Sequence, residues 1–157
     1  SQWTYEHSVR VAYLMDELGD SDQTAIRAGL LHDIGKIQIP QNVLDAVALK
    51  EAGRQALDDH PRIGFEIVRE HDSQIARIIV AHHEPIKGYP RKKLRNGDGE
   101  LAILQNLLSL VDATDALMSE RPYKKPWSPE EVEEDLRGRF NLEHIRLAIK
   151  IRAGLNS

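Results

Sequence analysis

The sequence predicts an all-α protein, a compact bundle of about seven helices. Three observations lead there. Apolar residues recur at spacings of three and four along most of the chain. Helix-starting and helix-stopping residues fall at the ends of those stretches. No stretch has the two-residue alternation of a half-buried strand, and there is no internal repeat or low-complexity tract. The 157 residues amount to one domain, spanning 1–157. A domain of that size buries roughly 68–70% of the surface of its unfolded chain and needs no staples.

Taken in order, segment 3–18 reads as an amphipathic helix, with Trp3, His7, Val11, Leu14 and Leu18 on one face and Gly19 as its stop. Ser21 or Asp22 can cap the next helix, whose apolar positions are Ala25, Ile26, Gly29, Leu30 and Ile34. Gly35 and Pro40 bracket its exit. Segment 46–59 looks helical. Pro61 suits the first turn of a further helix with Ile63, Phe65, Ile67 and Val68 as its core. Segment 73–83 is another helix, and 84–99, with Pro85, Gly88, Pro90, Gly97 and Gly99, is a long loop. Residues 100–119 form the longest helix. Ser128-Pro129-Glu130-Glu131 starts the next with a cap, a proline and two first-turn acids. The last helix covers about 141–153.

Composition excludes several functions. Hydrophobic residues make up 41% and charged residues 29%, a folded globular mix. The net charge of −4 argues against duplex nucleic acid as a partner, because that binding runs on clustered cations. Two Trp, four Tyr and two Phe are too few for a base-stacking platform. The absence of Cys excludes disulfides and thiolate metal sites. No apolar run approaches the roughly 18–20 residues of a membrane span. The N-terminus lacks the charged-then-apolar pattern of a signal segment. The expectation is a cytoplasmic domain excised from a longer protein.

The histidines carry the chemistry. They stand at 7, 32, 60, 71, 82, 83 and 144, most of them beside apolar helical stretches. An adjacent His32 and Asp33 can both reach one cation, and Lys36 overhangs the same spot, where it suits a phosphate oxygen. A His-Asp pair alone is weak evidence, since His71-Asp72 is a second one. His82-His83 closes an apolar helix, and burying two imidazoles there without partners costs about 1–3 kcal/mol each. A metal would satisfy both; solvent exposure of the helix end is the alternative. Asp112 lies deep in the longest helix, so either a cation neutralises it or it faces water.

The order of these elements resembles the HD superfamily of metal-dependent phosphohydrolases, and more narrowly the HD-GYP domains, which are cyclic-di-GMP phosphodiesterases. The matching segments are His-Ser-Val-Arg-Val-Ala at 7–12, Leu-Leu-His-Asp-Ile-Gly-Lys-Ile-Gln-Ile-Pro at 30–40 and His-Pro-Arg-Ile-Gly at 60–64. They continue with Ala-His-His-Glu at 81–84, Gly-Tyr-Pro at 88–90, Val-Asp-Ala-Thr-Asp-Ala-Leu at 111–117 and Ser-Glu-Arg-Pro-Tyr-Lys at 119–124. The resemblance covers roughly residues 5–140.

What the resemblance implies is an HD-type fold with a dinuclear site. His7, His32, Asp33 and Asp112 would hold one divalent ion. Asp33, as a bridge, would share the second with His60, His82 and His83. Imidazole and carboxylate ligands suit Fe, Mn, Zn, Ni or Co; the family favours iron or manganese. A metal-bridging hydroxide would attack the phosphodiester of a cyclic dinucleotide, cyclic-di-GMP first among them, with Asp33 and Lys36 catalytic. Lys36, Tyr89, Asp115, Arg121 and Lys124 match positions near the substrate. His71 and His144 match no ligand position. The family also implies an upstream sensory or receiver domain.

Four departures touch this expectation. The segment between His83 and Gly88 is only Glu-Pro-Ile-Lys, so the family's Asp before Gly-Tyr-Pro is missing. The Lys-Pro-Gly that precedes the His-Pro motif in the family is absent, as is the usual lead-in to Asp112. Trp3 stands where some members carry a third-metal Glu, which favours two ions over three. The alternatives are another HD phosphohydrolase acting on a nucleotide or phosphomonoester, a non-catalytic module binding a nucleotide or partner, and a di-iron oxygenase on the same scaffold. Lys36 and the Gly-Tyr-Pro segment argue against the last.

Overall fold

Two apolar clusters share one helix. In the computed structural model, which describes residues 1–44, 51–83, 99–121 and 124–155, the chain runs as α1 (Gln2–Leu18), α2 (Gln23–Leu31), a 3-10 turn (Ile34–Gln38), α3 (Gln41–Leu44), α4 (Glu51–Asp58), α5 (His60–Val68), α6 (Ser73–Val80), α7 (Gly99–Met118), α8 (Pro129–Leu136) and α9 (Leu142–Gly154). The described residues form an all-α bundle with no named strand, only isolated bridges at Arg121–Lys124 and Arg137–Phe140. The expected helix at 46–59 is described from Glu51 onward. The expected loop at 84–99 lies outside the described residues up to its last position, where α7 begins.

The local signals that start these helices operate as their chemistry requires. Asp22 accepts from the Thr24 and Ala25 amides at the head of α2, and Asp72 from Ile75 at the head of α6. Ser128 and Glu131 form a reciprocal capping box on α8, with Pro129 in the first turn. Asn141 caps α9 through the His144 amide.

α7 is the spine. Leu104, Leu108 and Val111 pack with Val11, Leu14, Met15, Ile75, Ile78 and Ile79 of α1 and α6. Leu110 and Met118 pack instead with Val132, Leu136, Ile145, Ala148 and Ile149 of α8 and α9. Each fully buried Leu or Ile contributes about 1.5–3 kcal/mol relative to exposure. By length and composition α7 could also cross a bilayer, because its polar residues are few, yet 61% of that window is buried by the other helices. Hydrogen bonds from Gln105 to the Arg77 carbonyl and from Ser109 to the His82 carbonyl lock α7 against the end of α6.

Two helices end earlier than periodicity predicts. α2 stops at Leu31, so His32 and Asp33 occupy the break between α2 and the 3-10 turn rather than one helix. α6 stops at Val80, leaving Ala81, His82 and His83 in a turn. In both places tertiary contacts override the apolar pattern. The first break is held by Gly35, which packs closely against the backbone of α5. A Cβ there would lie 2.0 Å from the His60 carbonyl oxygen and 2.8 Å from the Gly64 nitrogen.

Because both obstacles are backbone atoms, Gly35→Ala cannot be relieved by a rotamer change. It should cost about 1–3 kcal/mol or more in urea unfolding. Gly154→Ala, where nothing lies within 4 Å of the added atom, serves as the control. An unchanged midpoint for Gly35→Ala would contradict the packing described.

Candidate metal centre

Five histidines and two aspartates converge from three helix ends and two helix interiors. His7 comes from α1, His32 and Asp33 from the break after α2, and His60 from the first residue of α5. His82 and His83 come from the turn after α6, and Asp112 from the middle of α7. Of these, His7, His32, Asp33, His60, His82 and Asp112 are buried, and His83 is half-buried. Three triads bring one ligand atom each within 4.8 Å of one another: His60–His82–His83, His7–His32–Asp33 and His32–His82–Asp112.

The tautomers follow from the hydrogen bonds. His32 Nδ1 is 2.8 Å from the Gly29 carbonyl, His82 Nδ1 is 2.5 Å from that of Ile79, and His60 Nδ1 pairs with that of Leu57. A carbonyl only accepts, so each Nδ1 carries a proton and each ring turns Nε2 inward, the atom that can offer a lone pair to a cation. His7 follows the same plan with a carboxylate behind it: Nδ1 donates to Asp115 Oδ2 at 2.6 Å. Such back-side acceptors are how metal-binding imidazoles are oriented.

The inward atoms are mutually repellent unless something positive lies among them. His60 and His82 Nε2 are 3.2 Å apart, and they stand 3.0 and 3.8 Å from Asp33 Oδ1. None of the described residues gives that buried oxygen a hydrogen bond. The other Asp33 oxygen faces His32 and His7 Nε2 at 3.5 and 3.7 Å and takes Lys36 Nζ at 2.7 Å. Asp112 is divided in the same way. Its Oδ1 lies 2.9 Å from His7 and 3.4 Å from His32, its Oδ2 3.8 Å from His83 and 4.0 Å from His82. Each carboxylate thus spans the two histidine groups. An orphaned buried oxygen among inward lone pairs fits a divalent cation set, and these residues could hold a metal.

Electrostatics keeps most of these groups in the forms that could bind a metal. Burial favours the neutral acid of Asp33, but His32 and Lys36 hold its pKa well below the usual carboxylate range. Burial acts likewise on Asp112, outweighed by the hydrogen bonds of His32 and His7. Desolvation and the charge of neighbouring imidazoles push His82 and His83 down. His7 is the exception. Burial opposes its protonation, yet hydrogen bonds to Asp112 and Asp115 raise its pKa to about 9. Without metal, a proton on His7 Nε2 occupies the place of the cation.

Around the centre, a cleft of about 300 Å³ is lined in part by Trp3, Lys36, His83, Arg121, Asp135 and Arg139. Trp3 stacks on His7 with centroids 4.8 Å apart and planes at 13°, so an indole rather than a carboxylate covers that side. The Arg121 guanidinium lies over the Trp3 ring, 4.0 Å from its centroid.

The structure brings together all seven expected ligand residues and Lys36. Arg121 reaches the cleft. Asp115 does not: expected beside the substrate, it is fully buried behind His7 and bound by Arg10 and Arg152. Lys124 sits over Trp127, 4.9 Å from the ring, apart from the cleft lining. Tyr89 and Glu84 lie outside the described residues. His71 and His144 are exposed and distant in role. Sequence reasoning missed Trp3 as a stacking plane, and Arg10, Ser119 and Arg152 as partners of Asp115. Arg10 sits three residues after His7, on the same helical face. Arg152 continues the apolar stripe Ile145, Ala148, Ile149, which was its signal.

A metal held by His7 would have to displace its proton, which would make binding depend on pH. With the folded pKa raised from 6.5 to about 9, the protonated form is the stabilised one in the metal-free protein. That contribution is complete below pH 6.5 and lost as pH rises through 9. Mn²⁺ affinity, measured calorimetrically, should rise by up to about tenfold per pH unit from 7 toward 9 and then level. A flat profile over that range would contradict the assignment.

Known proteins resemble this chain over most of its length. Residues 4–117 match the HD domain family. The chain is 38% identical over 136 residues to 3'3'-cGAMP-specific phosphodiesterase 3 of Vibrio cholerae, covering 79% of this chain and 29% of that protein. It is 36% identical over 143 residues to a cyclic di-GMP phosphodiesterase of Thermotoga maritima, covering 82% and 38%. The chain therefore spans about a third of the length of these curated relatives. The HD domain of the L. monocytogenes phosphodiesterase PgpH superposes with a TM-score of 0.63 at 20% identity, over 98% of this chain and 91% of that one, which shows the shared fold. The chain belongs to the HD domain family.

Proposed function

We propose that this chain is a metal-dependent phosphodiesterase acting on a cyclic dinucleotide, with cyclic-di-GMP and 3'3'-cGAMP as the first substrates to test. The observation that carries the reading is the division of Asp33: one oxygen faces His60 and His82, the other His7 and His32. That arrangement supports two divalent ions, one held by His7, His32, Asp33 and Asp112 and the other by Asp33, His60, His82 and His83. Asp112 Oδ2 also reaches toward the second group. Fe or Mn suits the donor set. The names of the relatives support the substrate class.

When bound, such ions would supply a water of lowered pKa and stabilise charge at the phosphate. The chain's residues do the rest. The Nδ1 anchors hold four imidazoles in one tautomer, so no reorganisation is needed as charge develops. Lys36 Nζ, salt-bridged to Asp33 at the cleft, is placed to neutralise a non-bridging phosphate oxygen. Arg121, whose guanidinium lies over the Trp3 ring, offers a second cation to the same ligand. Hydrolysis adds water across one P–O bond, leaving a phosphate monoester and a ribose hydroxyl. The shortened Glu-Pro-Ile-Lys segment after His83 favours a second reading, an HD phosphohydrolase with a different nucleotide or monoester substrate.

Protein loaded with Mn²⁺ or Fe²⁺ should convert cyclic-di-GMP or 3'3'-cGAMP to a linear dinucleotide, followed by chromatography. Turnover of monoesters alone would favour the second reading, and turnover of neither class would sink both. Asp33→Ala should lower the rate at least about 10³-fold with helical circular dichroism retained. Lys36→Ala should keep its metal and slow hydrolysis by about 10- to 10³-fold. Full activity in Asp33→Ala would overturn the site.

A further inference from the structure

We infer that Arg152, on the C-terminal helix, is a positioning residue of the metal centre, acting through Asp115 on His7. The inference rests on the reading of His7 as a metal ligand. Asp115 is fully buried and every contact it makes is that of an acceptor. Its Oδ2 takes the His7 Nδ1 proton at 2.6 Å, Arg10 Nη2 at 3.2 Å and the Ser119 hydroxyl at 3.3 Å. Its Oδ1 takes Arg10 Nε at 2.8 Å and Arg152 Nε at 2.5 Å. Arg152 also donates to Ser119 Oγ at 3.1 Å, and Ser119 donates to the Asp115 carbonyl at 2.5 Å.

Two guanidinium groups from different helices, α1 and α9, therefore grip one carboxylate on α7. The arrangement is costly as a stability device. Arg152 is 3% exposed, and burying an ion pair gains little over a well-packed apolar group in the same volume. It is effective as a device for direction. Held from two sides, the carboxylate cannot turn, so the acceptor offered to His7 Nδ1 has one orientation. The imidazole plane is then fixed, and Nε2 points at Asp112 and Asp33. Trp3, stacked on the same ring, removes the remaining freedom of tilt. The other three buried imidazoles are anchored to main-chain carbonyls three residues earlier in the chain. His7 alone among these four depends on a side chain, and hence on its supports. The family match ends at residue 117, so Ser119 and Arg152 lie beyond it. The C-terminal helix is on this account a working part of the centre.

The test compares Arg152→Met, Arg152→Lys and His7→Ala with the unaltered protein. Three readouts are taken: helical circular dichroism, Mn²⁺ affinity by calorimetry, and solvent protection of the His7 Nδ1 proton by NMR in the metal-free protein. Arg152→Met should bind Mn²⁺ about 10- to 100-fold more weakly and lose Nδ1 protection while the helices persist. Arg152→Lys keeps the charge without the fork, so it should recover part of both and covers the case in which Arg152→Met does not fold. Unchanged Mn²⁺ affinity and Nδ1 protection in either folded variant would overturn the positioning role. If His7→Ala bound Mn²⁺ as tightly as the unaltered protein, it is the ligand assignment beneath it that would fall.

Discussion

The structure depends on one electrostatic constraint. Two buried carboxylates, Asp33 and Asp112, stand among imidazole nitrogens whose lone pairs point at them. Left without a positive charge, that arrangement would be strongly unfavourable in a low-dielectric interior. Lys36 supplies one charge at the edge, and a proton on His7 supplies another when no metal is bound. A divalent cation satisfies more of these atoms at once, which is why the site is read as a metal centre. The bundle can be understood as the scaffold that delivers these seven side chains to one point.

That delivery explains features a generic helical core would not need. α7 is apolar on two faces because it joins two clusters, and it carries Asp112 and Asp115 between them. α2 and α6 stop short so that His32, Asp33, His82 and His83 can leave the helical path. Gly35 permits the first break to approach His60, and Ser109 ties the second to α7. Each departure from regularity coincides with a group facing the centre, the pattern expected where function and local preference compete.

Much of this was legible in the sequence. The all-α class followed from periodicity and caps, and the caps read at Asp22 and Ser128 are formed; those at Asp72 and Asn141, which went unread, rest on the same short-range chemistry. The seven candidate ligands were legible as a set through the resemblance to the HD superfamily; burial in apolar stretches by itself singled out His82, His83 and Asp112 as groups in need of a partner. Other features were hidden because they depend on distant pairs. Asp115 read as a substrate contact until its partners Arg10 and Arg152, 105 and 37 residues away, showed it facing inward. The helix breaks at His32 and Ala81 were invisible because apolar spacing continues through them. The stack of Trp3 on His7 spans a single helical turn, yet rotamers decide it and sequence does not.

The claim on which the rest stands is that the inward nitrogens and carboxylates form a metal centre. Elemental analysis of the purified protein, after anaerobic incubation with Fe²⁺ or Mn²⁺ and removal of excess metal, tests it most directly. The account predicts about two metal atoms per chain, lost together in Asp33→Ala. A chain that holds essentially none after the same treatment would contradict it.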